Sequence, residues 1–75
     1  MEPFSMIKGT EVKVFSLEDN DTTLVVANSD TARPEVPARL QYEVCENDAE
    51  SQAVVQKFVF DLQRQGWAVA DEPVV

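Results

Sequence analysis

Between residues 47 and 67 the apolar side chains recur with the period of an α-helix. Val54, Val55, Phe58, Val59 and Leu62 fall on one stripe when successive residues turn by about 100°. Asn47 stands where an N-cap accepts from a free first-turn amide, and Glu50, three residues on, can reach back to it. Asp48 and Glu50 put negative charge at the positive end of the helix dipole, and Arg64 puts positive charge at the other. Gly66 fits the left-handed residue that ends many helices. The pattern predicts a helix over residues 48–65, about 27 Å long, whose stripe faces a core. Phe60 lies off that stripe, beside Ala49, Ala53, Gln56 and Arg64, as a shallow apolar spot open to a covering segment or a partner.

The rest of the chain reads as short strands that need such a helix. Residues 11–17 send Val12 and Val14 one way, and Phe15 and Leu17 the other with Glu11 and Lys13. Glu18, Asp19, Asn20 and Asp21 are turn residues, and 22–27 is a second strand, so a hairpin is expected. Residues 28–37, with Pro34 and Pro37, read as a loop. Residues 38–46 alternate, with Leu40, Tyr42 and Val44 against Arg39, Gln41, Glu43 and Cys45; this predicts a half-buried strand with a solvent face. A short last strand is expected over 67–70. Residues 1–9, with Pro3 and a break at Gly9, read as a loose terminus, and 71–75 as an acidic tail. The order β-β-β-α-β implies an α+β two-layer sandwich: an antiparallel sheet with one amphipathic helix packed across one face. Seventy-five residues make one small domain with a thin core.

Several chemistries are excluded by what the chain lacks. Without histidine there is no Ser-His-Asp or Cys-His arrangement, and the commonest zinc ligand is missing. One cysteine, Cys45, permits no intrachain disulfide and reads as a small buried hydrophobe. The two glycines, Gly9 and Gly66, begin no phosphate-cradling loop. Glu18, Asp19 and Asp21 lack the spacing of a calcium loop and read as a charged hairpin turn. No enzyme activity, cofactor or metal is expected. With neither a signal peptide nor a span of about 20 apolar residues, the expected location is the cytoplasm.

Charge is the most informative bulk property. Fourteen acidic residues against six basic give a net charge of -8, which disfavours direct contact with nucleic acid or anionic membrane and favours a basic partner. Nine of the acids fall in three groups: Glu18, Asp19 and Asp21 in the turn; Glu43, Glu46, Asp48 and Glu50 from strand end to helix start; Asp71 and Glu72 in the tail. If the groups converge, they present spaced negative charge to a basic groove. The expected function is a non-enzymatic acidic module that docks on a larger basic, nucleic-acid-binding protein and inhibits or modulates it. Partner-binding candidates are Glu18, Asp19, Asp21, Glu43, Glu46, Asp48, Glu50 and Phe60. In size and charge alone the chain is similar to small phage-encoded inhibitors, anti-CRISPR proteins among them, and that likeness implies a nucleic-acid mimic. The alternative is an assembly protein that self-associates as a homodimer through Phe60 or through a sheet face or edge.

Overall fold

A computed structural model describes residues 2–70 of the chain. Its elements are β1 (Phe4–Lys8), β2 (Glu11–Glu18), β3 (Thr23–Asp30), β4 (Arg39–Val44), α1 (Asp48–Arg64) and β5 (Ala68–Val69). The strands form one antiparallel sheet in the order β4-β3-β2-β1-β5. The helix packs across one face, which is the expected α+β arrangement. The acidic tail read at 71–75 lies outside the described residues.

The first strand corrects the reading of residues 1–9 as a loose terminus. β1 pairs with β2 on one side and β5 on the other, and Met6 is fully buried. Phe4 stacks on Phe15 at 4.9 Å between ring centroids and 5° between planes. Gly9 is therefore not a break before the first strand. With φ +62 it opens the two-residue turn from β1 to β2 that pairs Lys8 with Glu11. β3 also runs to Asp30, so the connection to β4 is shorter than the ten-residue loop expected over 28–37.

Cross-strand partners share a sheet face. Phe15 lies opposite Phe4 and Val26, and Leu17 opposite Leu24, so these side chains point toward the helix. There Met6, Phe15, Leu24, Val26, Val55 and Leu62 form the buried cluster, flanked by Phe4, Leu17, Val54, Phe58, Val59 and Trp67. The predicted helical stripe is the observed core face.

The Asn47 cap and the Gly66 stop are built as the sequence suggests. The Asn47 side chain accepts from the Glu50 amide at 2.8 Å. At the other end the Gly66 amide donates to the Gln63 carbonyl at 3.1 Å, and the Trp67 amide to the Leu62 carbonyl at 2.9 Å. Gly66 takes φ +100. These two bonds and the shared packing of Leu62 and Trp67 in the core make a Schellman cap. The cap turns the chain straight into β5.

β4 departs from expectation. All six of its residues are exposed. Leu40, Tyr42 and Val44 pair with Ala27, Val25 and Thr23, which places them on the face away from the helix. Arg39, Gln41 and Glu43 take the helix side. The helix lies over β1 to β3, and no β4 side chain belongs to the buried cluster. The apolar side of this strand is thus uncovered, and its polar side faces an open groove of about 350 Å³ lined by Glu43, Val54, Lys57, Phe58 and Asp61.

Candidate functional site

Antiparallel topology decides where the acids go. β2 ends, β3 begins and β4 ends at the same edge of the sheet, because Glu18 pairs with Thr23 and Thr23 with Val44. The helix also begins there. The acidic turn and the acidic strand-to-helix junction therefore meet at one end of the molecule.

Named hydrogen bonds hold them together. The Cys45 amide donates to the Thr22 carbonyl at 2.8 Å. The Ser51 hydroxyl, fully buried in the first turn of α1, donates across to the Asp21 carbonyl and lies 2.9 Å from that of Asp48. Within the turn, the Thr22 hydroxyl donates to the Asp19 carbonyl at 2.6 Å and the Thr23 hydroxyl to the Asp19 carboxylate at 3.4 Å. Asp19, Asn20 and Asp21 all adopt positive φ, at 53°, 58° and 62°. Three consecutive non-glycine residues in the left-handed region are strained, and Asp and Asn are the side chains that tolerate it best.

Glu18, Asp19, Asp21, Glu43, Glu46, Asp48 and Glu50 thus share this end. Asp21 is half-buried and the other six are exposed. Among the described lysines and arginines, Lys57 approaches them across the open groove that it lines with Glu43. Lys8, Arg33, Arg39 and Arg64 sit at the opposite end, Lys13 is in the first half of β2, and Lys57 is about 14 Å along the helix from Asp48. At the far end Asp30 has compensation. The Asp30 carboxylate is held below its ordinary range by the Thr10 side chain, by the Ala32 amide at 2.9 Å and by the nearby Arg33 charge. A depressed carboxylate stabilises the fold above its unfolded pKa, and that contribution is lost as pH falls through the folded value.

Cys45 lies just behind the acidic end and is 8% exposed. Burial raises its thiol pKa above the ordinary value of 9.0, and the carboxylates of Glu50 and Glu43 push it further. Alkylation of the native protein at pH 8 is expected to be at least about tenfold slower than that of the urea-unfolded chain. Equal rates would place the thiol in the open. A raised thiol pKa stabilises the fold below its unfolded value, and that stability is lost as pH rises through the folded value, above about 9.

Phe60 is not part of this site. It is 59% exposed, about 18 Å along the helix from Asp48, and the Arg64 guanidinium lies 5.8 Å from its ring centroid. Sequence reasoning missed Ser51, a polar residue in line with Val55, Phe58 and Leu62 that ties the helix to the acidic turn.

The fold and site define a small α+β domain whose charge is concentrated at one end. No known protein-family model, characterised protein or solved structure matches the chain. Among the described residues no helix is long and apolar enough to cross a membrane, and no cluster of three or more potential ligands is arranged to hold a metal ion.

Proposed function

We infer that the chain is a non-enzymatic cytoplasmic binding module that docks its acidic end on the basic surface of a larger protein. A surface of the kind that ordinarily holds nucleic acid fits best, and occupying it inhibits or modulates that protein. The convergence of seven carboxylates at one end of the molecule carries this reading. Such an end steers a basic partner from a distance and offers spaced negative charge to guanidinium and ammonium groups that otherwise meet phosphates. The absence of histidine favours binding over catalysis.

The test is a pull-down from the source cell with the tagged protein at low and moderate salt, followed by association kinetics with whatever is retained. The expected catch is a basic nucleic-acid-binding protein released as salt rises. The combined reversal Glu43→Lys, Glu46→Lys, Asp48→Lys and Glu50→Lys is expected to slow association by about tenfold or more at low salt. A complex insensitive to salt and to these reversals would overturn the reading.

A further inference from the structure

The sheet has a second face, and it is apolar. Register places Ile7, Val12, Val14, Val25, Ala27, Leu40, Tyr42 and Val44 together on the side away from the helix. On the other side of the same strands the helix covers β1 to β3. No described element covers this one: Ile7 is 41% exposed, Leu40 and Tyr42 57%, and Val44 78%. Serine, threonine and alanine fill most remaining positions. Only Glu18, at one corner, carries a charge.

Charge decides what such a face accepts. The chain carries -8, yet its acids lie on the turns, the helix and the helix side of the sheet. A basic partner gains almost nothing from an uncharged surface. A second copy of the chain meets an identical apolar face, and all acids but the corner Glu18 of each copy stay outside the seam. That is the self-complementarity an isologous two-fold contact requires.

The area agrees. Five strands of two to eight residues, about 4.8 Å apart with about 3.3 Å per residue, give a face of roughly 450 Å² in plan. Two such faces, with side-chain relief, bury on the order of 1,000 Å², the lower bound for a specific interface. A face of this size matches the largest apolar patch on an ordinary monomer, about 300–600 Å², and such a patch is often functional.

We propose that this face pairs with the same face of a second copy, giving a four-layer helix–sheet–sheet–helix homodimer that dissociates on dilution. Repulsion between the acidic ends selects the two-fold orientation that places them at opposite ends of the dimer.

Sedimentation equilibrium of the full chain over a range of concentrations tests the proposal, with Val14→Lys and Tyr42→Lys as variants. Val14 is 39% exposed, on an interior strand, and points out of the face. Both positions are open to solvent in one copy, so the variants keep the native circular dichroism. The expected result is a mass moving from one to two chains with concentration, and a dimer dissociation constant raised at least about tenfold by either change, as a buried unpaired charge demands. A wild-type protein that stays monomeric throughout overturns the proposal. So does a dimer that Val14→Lys leaves intact, since that result assigns the contact to the free edge of β4 or to Phe60.

Discussion

Phe15→Ala is expected to remove a large share of the stability of the fold. Phe15 is fully buried at the middle of β2, stacked on Phe4 from β1 and tilted at 57° against Phe58 of the helix, 6.4 Å away between centroids. It is where the first strand, the central hairpin and the helix meet. Removing a buried phenylalanine ring costs about 3–5 kcal/mol in lost transfer energy and residual cavity. A domain of this length has roughly 4–11 kcal/mol in all, at about 0.05–0.15 kcal/mol per residue. Nothing behind Phe15 can fill the space, because the far side of β2 faces outward. Urea titration followed by Trp67 fluorescence measures the effect. A loss under about 1.5 kcal/mol, the ordinary cost of a volume-conserving apolar swap, would show that the core is not centred there.

Ser51→Ala is expected to weaken the fold by about 1–3 kcal/mol, the cost of leaving a buried polar group without its partner. Helix propensity predicts the opposite sign, since alanine is the better helix former. The difference lies in the hydroxyl's reach out of the helix. The Asp48 carbonyl already belongs to the helical ladder, so the bond that matters crosses to the Asp21 carbonyl in the acidic turn. For a domain of 60–100 residues each kcal/mol moves the melting midpoint by about 4–8 °C, so the fall is readily seen in a thermal scan. Amide exchange supplies a local readout: the Cys45 amide, bonded to the Thr22 carbonyl, should lose protection more than amides near Phe15. A melting midpoint that rises would mean that the hydroxyl contributes nothing across the junction.

The parts of the fold that sequence made visible are those fixed by local chemistry. The stripe of Val54, Val55, Phe58, Val59 and Leu62, the Asn47 cap and the Gly66 stop each depend on neighbours within a turn or two. The acidic hairpin depends on four polar residues between two apolar runs. β1 was hidden because five residues with Ser5, Lys8 and a preceding Pro3 carry too little pattern, and its burial comes from strands on both sides. Alternation in β4 separates Leu40, Tyr42 and Val44 from Arg39, Gln41 and Glu43. It does not say which set meets the helix. That is settled by pairing with β3, where Leu24 is opposite Glu43, and by the width one helix can cover. The acidic residues were all visible as residues. Their meeting at one end is a product of topology, and the Ser51 bond that fixes it joins positions thirty residues apart.

The pairing of β1 with β5 has a consequence for how the fold is reached. Met6 is opposite Val69, so two strands from nearly the full span of the described chain close against each other. β2, β3 and β4 form a meander whose contacts join near neighbours in sequence, and such contacts close quickly. The ladder between β1 and β5 closes a loop holding almost everything else, an entropic cost that grows with the logarithm of its length. That loop shortens once the hairpin and helix are in place. Contact order therefore places the β2–β3 hairpin early in assembly and the seam beside Gly66 and Trp67 last.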